Sequence, residues 1–351
     1  MAYLRNAWYV AAWDDEVTRN LFARTILDEP VLLFRKEDGA AVAISGRCPH
    51  RFAPLHLGKL IGDVVECPYH GLQFDCAGAC VHNPHGSGAV PKTATLKTYP
   101  IREAHGVVWI WMGERQPDES LLPDFALLAQ PEKYRTVRGV ISVEANYELI
   151  TDNLLDLTHI VYVHAGSIGS AQHLERQSTE TKQEGSRVWS IRTNREITAG
   201  AIYHVFKPIY AQIKVDKLQS MRWDPPCNML LEIVHHETQK PDRHRTSNYG
   251  GNLLTPESET RTHYFWSLSR DFDLENEKLD EVARGLIKLA FEQQDKPIIE
   301  AQQRMMGTPD LFSLRPVLLE TDAATVRARR ALDRLRRAEL VPQAGRTEKV
   351  A

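Results

Sequence analysis

Two short cysteine/histidine pairs constrain this 351-residue chain more than any other feature. Cys48-x-His50 is followed, after sixteen residues, by Cys67-x-x-His70. Each half lies beside a turn, in Cys48-Pro49-His50 and in Cys67-Pro68-Tyr69-His70-Gly71. The prolines stiffen these loops and Gly71 permits an unusual backbone angle. Two mixed loops, each offering one thiolate and one imidazole, form a metal-binding pattern. A structural zinc site is one candidate, although zinc ligand pairs normally put Cys with Cys and His with His. A mixed pair in each loop suits a [2Fe–2S] cluster with two thiolates on one iron and two imidazoles on the other. Such a cluster has a higher reduction potential than an all-cysteine one.

Cys76, Cys80 and Cys227 complete the five cysteines. Cys76 and Cys80 are expected to pack as small hydrophobes rather than to bind metal. No structural disulfide is expected in a chain that reads as intracellular. The opening residues, Met1-Ala-Tyr-Leu-Arg-Asn-Ala-Trp-Tyr-Val10, lack the basic region, long apolar run and cleavage site of a signal peptide. The longest apolar stretch, Val107-Val-Trp-Ile-Trp-Met112, is far short of the roughly 20 residues of a membrane span. Lys and Arg number 43 against 46 Asp and Glu, a net charge of −3, which makes no general case for nucleic acid. The expectation is a cytoplasmic protein with neither a membrane nor a nucleic-acid partner.

Residues 1–115 alternate short strand-like runs (31–34, 41–44, 96–99, 107–111) with turns at Asp38-Gly39, Gly62-Asp63, Ala77-Gly78 and His105-Gly106. That is the texture of a small antiparallel β domain. A polar, Pro-containing connection, Arg115-Gln-Pro-Asp-Glu-Ser120, marks a boundary. Residues 116–351 mix helical patterns (147–157, 277–304 with Pro297 inside, 323–340) with strand-like runs (188–191, 229–234, 262–266). The fold class is therefore α+β. The arginines of the last helical pattern, Arg327, Arg329, Arg330, Arg334, Arg336 and Arg337, read as a solvated face rather than a docking surface.

A second constellation lies in the second domain. Asn153, Asp156 and His159 follow at three-residue steps, which on a helix puts them on one face. His164 is five residues beyond His159, about 140° round an ideal helix, so the helix is expected to break or distort between the two, which would then come from a helix end and the turn after it. Two histidines and one carboxylate make the facial triad of non-heme Fe(II) oxygenases. The carboxylate is sought in 291–300, where Pro297 has no N–H and leaves the carbonyl of Gln293 without its helical partner. Asp295 sits at that irregularity; Glu292 and Glu300 look solvated. The Asp156 carboxylate is available to orient an imidazole. Arg222, Asn228, His235, His236, Asn252 and His263 are candidate pocket residues, with Arg222 read as a structural ion pair before a substrate contact.

Together the two constellations resemble the Rieske non-heme iron ring-hydroxylating oxygenases, and more narrowly the oxygenase components of vanillate O-demethylase and dicamba monooxygenase. The residues that carry the resemblance are Arg5-Asn-Ala-Trp-Tyr-Val-Ala-Ala12, Cys48-Pro-His-Arg-Phe-Ala-Pro-Leu55, Cys67-Pro-Tyr-His-Gly-Leu72 and His82-Asn-Pro-His-Gly86. Asp152-Asn-Leu-Leu-Asp-Leu-Thr-His159 and Tyr162-Val-His164 complete them. The resemblance implies a small antiparallel β Rieske domain followed by an α+β, helix-grip-like catalytic domain. It implies that Cys48, His50, Cys67 and His70 hold the [2Fe–2S] cluster, and that His159, His164 and Asp295 hold one mononuclear Fe(II). Asp156 would bridge His159 to His70 of the partner subunit in a homotrimer, with Asn153 close to the active site.

The chemistry implied is monooxygenation of a small aromatic substrate by O2, with electrons arriving one at a time through the cluster. Oxidative O-demethylation of a methoxylated, vanillate-like acid would give a hemiacetal that collapses to a phenol and formaldehyde. The chain has no Gly-x-Gly-x-x-Gly fingerprint, so NADH would act through a separate reductase of flavin and ferredoxin type. Ring or methyl hydroxylation of another aromatic or heteroaromatic compound is the alternative activity. A cluster-bearing electron carrier without oxygenase activity is the alternative of another class.

Overall fold

The computed structural model describes residues 3–165, 168 and 177–340. The first two residues of the first expected domain and residues 341–351 of the second lie outside the described residues. In the N-terminal part, β1 (Trp8–Trp13), β2 (Phe22–Ile26), β3 (Glu29–Arg35), β4 (Ala41–Ser45), β5 (Lys59–Ile61), β6 (Val64–Glu66), β7 (Gln73–Phe74), β8 (Cys80–His82), β9 (Ile101–Ala104) and β10 (Val107–Trp111) form three small sheets. Their orders are β1-β10-β9, β2-β3-β4 and β5-β6-β7-β8, and every pairing is antiparallel.

The second part is built on one antiparallel sheet of seven strands. These are β11 (Arg135–Val143), β12 (Gln177–Glu184), β13 (Arg187–Ile197), β14 (Val215–Asp224), β15 (Asn228–Glu237), β16 (Thr246–Ser258) and β17 (Arg261–Arg270), in the order β11-β17-β16-β15-β14-β13-β12. The helices are α1 (Tyr147–Leu155), α2 (Ile160–Val163), α3 (Ala201–Phe206), α4 (Lys278–Ile287), α5 (Lys296–Met306) and α6 (Ala323–Leu340). A π-helical stretch, Lys288–Asp295, joins α4 to α5. None of the described helices is long and apolar enough to cross a membrane.

The two faces of the large sheet have different duties. Met221, Trp223, Met229, Leu254, Tyr264 and Trp266 pack one face against Ile150, Leu155, Phe291 and Ile299 of the helical layer. Leu253 and Phe265, on the opposite face, pack with Trp8, Val10, Trp109 and Trp111 of the N-terminal part. The run Val107-Val-Trp-Ile-Trp111 is apolar at every position because β10 is buried on both sides. A separate small core, with Leu32, Phe34, Leu55 and Phe74, lies under the Cys/His loops.

Several strands depart from the sequence reading. β12 and β14 carry too many polar residues to show as strands, and β13, β15 and β17 run well beyond their apolar centres. On the helix-facing side, Arg192, Asn194, Lys217, Gln219 and Asn248 occupy positions where alternation would call for apolar residues, and all five are buried. The last helix is also not simply solvated. Arg329 pairs with Asp152 (2.6 Å) and Glu148 (2.8 Å) of α1, and Arg336 with Glu148 and the Tyr147 hydroxyl. The arginines of α6 therefore include the clamp that holds α1.

Candidate metal centres

The two Cys/His loops are built alike. The Cys48 N–H donates to the Ala53 carbonyl (2.9 Å) and the Phe52 N–H returns to the Cys48 carbonyl (2.8 Å). Likewise the Cys67 N–H donates to the Leu72 carbonyl (2.8 Å) and the Gly71 N–H to the Cys67 carbonyl (3.0 Å). The fifth residue of each loop is left-handed, Phe52 at φ 57° and Gly71 at φ 68°. Glycine takes that conformation freely, whereas Phe52 takes it at a cost of roughly 1–2 kcal/mol. Its ring is 70% exposed, so loop closure rather than ring packing holds it there.

Cys48 and Cys67 are buried, and the Cys48 thiol hydrogen-bonds the Cys67 side chain. Above them the rings of His50 and His70 have centroids 4.6 Å apart. His85 Nε2 donates to the His70 carbonyl (2.8 Å) and steadies the second loop. Burial pushes the Cys48 thiol up to about 11, so it stays protonated at neutral pH unless a metal displaces the proton. Two adjoining thiols beneath two adjoining imidazoles fit a [2Fe–2S] group with chemically unlike ends. Cys76 and Cys80 are half-buried at the edge of the same core and donate to the Asp63 and His82 carbonyls.

The second centre depends on where α1 stops. Asn146 caps its start and Asp156 turns extended at its end (φ −81°, ψ 92°). The Asp156 carboxylate accepts from the N–H (2.8 Å) and hydroxyl (2.5 Å) of Thr158, closing a turn of the kind Asp favours. The helix thus breaks before His159, and α2 occupies the interval between His159 and His164. This corrects one expectation, since Asn153, Asp156 and His159 do not share one helical face; α2 ends at Val163, so the two histidines come from a helix start and the turn after its end (His164 φ −106°, ψ 25°). Asp156 does meet His159, but through its main-chain carbonyl, to which Nδ1 donates. Within the chain, Oδ1 of its carboxylate is engaged by Thr158 instead.

Opposite the histidines, the π-helical stretch ends at Asp295 just ahead of Pro297. Stretches of this kind recur at functional sites. Here the irregularity lets two consecutive side chains face the histidines. His164 Nδ1 donates to Gln294 Oε1 (2.8 Å), and its Nε2 lies 3.2 Å from Asp295 Oδ2. His159 Nε2 lies 3.5 Å from Asp295 Oδ1. Ligand atoms of His159, His164 and Asp295 all fall within 4.8 Å of one another. Asn153 Nδ2 donates to Asp295 Oδ1 (3.4 Å), while Asn153 Oδ1 is buried without a partner among the described residues. Burial opposes a charge on His164, yet the hydrogen bond and charge of Asp295 outweigh it and raise its pKa.

Two imidazoles with Nδ1 held as donors and Nε2 turned towards one buried carboxylate fit a divalent iron. Glu292 is exposed and Glu300 accepts the Glu144 N–H (3.0 Å), so both stand apart from this cluster. Asn153, Asp156 and His159 also border a groove of about 480 Å³ walled by Ile298, Met305 and Val317.

The pocket candidates divide. Arg222 is held by Asp224 (2.6 Å) and the Asp124 carbonyl (2.7 Å), a structural pairing. His263 Nε2 donates to the Thr25 carbonyl (3.0 Å) at the junction with the N-terminal part. His236 Nδ1 donates to the Glu237 carbonyl (3.0 Å) near the end of β15. Asn228 is buried with both side-chain polar atoms unpaired among the described residues. Asn252 accepts from the Tyr264 hydroxyl, and His235 is buried against Tyr203 and Tyr210. Gln294, Lys217 and Arg192 were not anticipated. Gln294 adjoins Asp295 in sequence, but only the register of the sheet brings the other two together.

A fold with an N-terminal β domain carrying paired Cys/His loops, and a seven-stranded α+β domain carrying a His/His/Asp cluster, defines a two-centre oxygenase. The Rieske [2Fe-2S] domain family matches residues 7–100, and the vanillate O-demethylase oxygenase C-terminal domain family matches residues 143–338. The chain belongs to the Rieske non-heme iron oxygenases, among the oxygenase components of such systems. It is 37% identical to the dicamba O-demethylase oxygenase component of Stenotrophomonas maltophilia, over 97% of this chain and 99% of that one. It is also 37% identical to the chloroacetanilide N-alkylformylase oxygenase component of Rhizorhabdus wittichii, over 97% and 98% of the two chains. The crystal structure of dicamba monooxygenase bound to dicamba superposes with a TM-score of 0.88 at 36% identity, covering 96% of this chain and 98% of that one.

Proposed function

We propose that this oxygenase removes the methyl group of a methoxylated aromatic acid, releasing formaldehyde. In this reading residues 1–115 are the cluster domain, with Cys48, His50, Cys67 and His70 as ligands to [2Fe–2S]. Residues 116–351 are the catalytic domain, with His159, His164 and Asp295 as ligands to one Fe(II). The observation that carries the reading is the meeting of two histidine Nε2 atoms and a buried carboxylate in a chain similar to a dicamba O-demethylase. When bound, the cluster supplies single electrons and the mononuclear iron activates O2.

The chain's own residues prepare that chemistry. Gln294 and the Asp156 carbonyl fix the two imidazoles with Nε2 available for a metal. Asn153 orients the Asp295 carboxylate.

The assembly in this reading is a homotrimer in which the cluster of one subunit faces the iron site of the next. Exposed Phe52, Leu57 and Tyr69 surround the cluster loops, and exposed Met305, Val317 and Leu318 line the groove beside Asp156 and His159; both patches suit burial between copies. The reductase is of flavin and ferredoxin type. Five free cysteines are consistent with work in the cytoplasm.

Iron, acid-labile sulfide and an EPR spectrum of the dithionite-reduced protein test the two centres. About three irons and two sulfides per chain are expected, the sum of one cluster and one mononuclear site. Formaldehyde should then form from a methoxylated benzoate in the presence of O2, NADH and a reductase. Zinc without sulfide would overturn both centres, and hydroxylated products without formaldehyde would overturn the demethylation.

A further inference from the structure

The helix-facing side of the large sheet carries a belt of buried donors that makes no ion pair with a carboxylate among the described residues; the nearest acid to act on it is Asp156, which faces Arg192 without pairing with it. Lys217 on β14 and Arg192 on β13 are 3% and 2% exposed. Residue pairing sets Asn194 opposite Lys217 and Arg192 opposite Gln219, which makes the two cations diagonal neighbours on one face. His235 stands opposite Lys217 on the other flank. Like charges so placed repel, and each has lost its hydration, so an unneutralised pair of this kind is costly.

Their hydrogen-bond partners among the described residues are neutral. Arg192 donates to the Leu157 carbonyl and to Gln177 Oε1, while its Nε is buried with no acceptor. The Lys217 ammonium lies over the Tyr203 ring at 5.0 Å and has no hydrogen-bond acceptor among the described residues. Asn248 Nδ2, another buried donor on this face, is also unpaired among the described residues. The unpaired atoms of Arg192 and Asn248 are both donors. The belt lies between two apolar clusters: Met221, Trp266 and Phe291 on one side, Tyr203, Phe206 and Tyr210 on the other. Arg192 ties it to the iron site, since Leu157 lies between Asp156 and His159.

We propose that Lys217 and Arg192 form the subsite that receives the acid group, a carboxylate or sulfonate, of the aromatic substrate. The inference rests on the small aromatic substrate of the preceding reading and names the residues that select its charge. The oxyanion neutralises both cations and accepts the donors left open, while the ring lies against the apolar walls. Burial and the neighbouring Arg192 pull the Lys217 pKa down to about 7, so the arriving anion also favours the protonated amine. A neutral isostere of the acid leaves the cations unpaired and binds more weakly.

Calorimetric titration of the anaerobic, cluster- and iron-loaded protein with 3-methoxybenzoate and with 3-methoxybenzamide tests this without turnover. Wild type should bind the acid more tightly than the amide. Lys217→Met should weaken the acid about 10- to 100-fold, the loss expected of a buried charge-assisted hydrogen bond, and leave the amide within twofold. Lys217→Arg should keep most of the preference for the acid. Equal binding of acid and amide by wild type overturns the subsite, as does an unchanged acid affinity or an equal loss for both ligands in Lys217→Met. Formaldehyde from wild type is measured alongside. Charge selectivity without formaldehyde retires the demethylation and leaves the subsite; formaldehyde without charge selectivity does the reverse.

Discussion

Arg329 offers the sharpest test of how the helical layer supports the iron site. Its guanidinium reaches Asp152 with Nε (2.9 Å) and Nη2 (2.6 Å) and Glu148 with Nη1 (2.8 Å), and its side chain is 6% exposed. In Arg329→Leu, Glu148 keeps Arg336, but Asp152 is stranded. Burial already pushes the Asp152 carboxyl up to about 6, against the attraction of Arg329. Without Arg329 it rises further. The native state then holds a proton that the unfolded chain has released, so the variant's stability falls as pH rises beyond the point where wild type has levelled off. Breaking a buried pair by removing one partner costs about 3–5 kcal/mol, and that full cost should appear at pH 8. At pH 5.5 protonation relieves the stranded acid, leaving about 1–2 kcal/mol for lost packing.

Thermal unfolding followed by circular dichroism should show a drop of about 10 °C at pH 8, and less than half of it at pH 5.5. Asp152→Leu added to Arg329→Leu should restore most of the loss, because replacing both partners leaves no orphaned charge. An equal deficit at both pH values, or a double variant as unstable as the single, would refute this account of the clamp. Since α1 delivers Asn153 and the turn at Asp156, iron retention should fall with the midpoint.

The remaining predictions concern the two centres and the donor belt. Asp295→Asn should lose the mononuclear iron while keeping the Rieske EPR signal and the sulfide content; retention of that iron would remove Asp295 from the ligand set. Gln294→Leu takes away the acceptor that fixes His164 and should weaken iron binding about 10- to 100-fold, measured by competition with a chelator. Lys217→Met should stabilise the ligand-free protein. The folded pKa of about 7 lies below the unfolded 10.5, so the penalty is whole below pH 7 and fades as pH rises through that window. The gain in unfolding free energy should approach a ceiling of about 5 kcal/mol at pH 6 and shrink towards pH 10. A destabilised Lys217→Met would mean the amine serves the fold rather than a ligand.

What was legible in the sequence lies close together along the chain. Cys48 to His70 spans two adjoining loops, and His159 to His164 spans one short helix, so local spacing alone points to metal donors. Asp295 was within reach because Pro297 announces a helical irregularity two residues later. The strands β12 and β14 were not legible. Their polar residues break the apolar alternation that marks a half-buried strand, and on β14 the inward polar positions are those of the donor belt. The same holds for α6, whose arginines look alike until the fold turns Arg329 and Arg336 towards α1 and leaves Arg337 at the surface.

The sequence by itself determined the donor types, the two-domain order and the α+β class, because each rests on residues near one another or on local periodicity. Tertiary structure alone decided which partner holds His164, how the helix opens to present Gln294 and Asp295 together, and that Lys217 and Arg192 share a buried face. Those relations are set by sheet register and helix packing between segments more than a hundred residues apart in the case of His164 and Gln294. No local pattern encodes a distance of that kind, since burial and pairing exist only once the layers have closed.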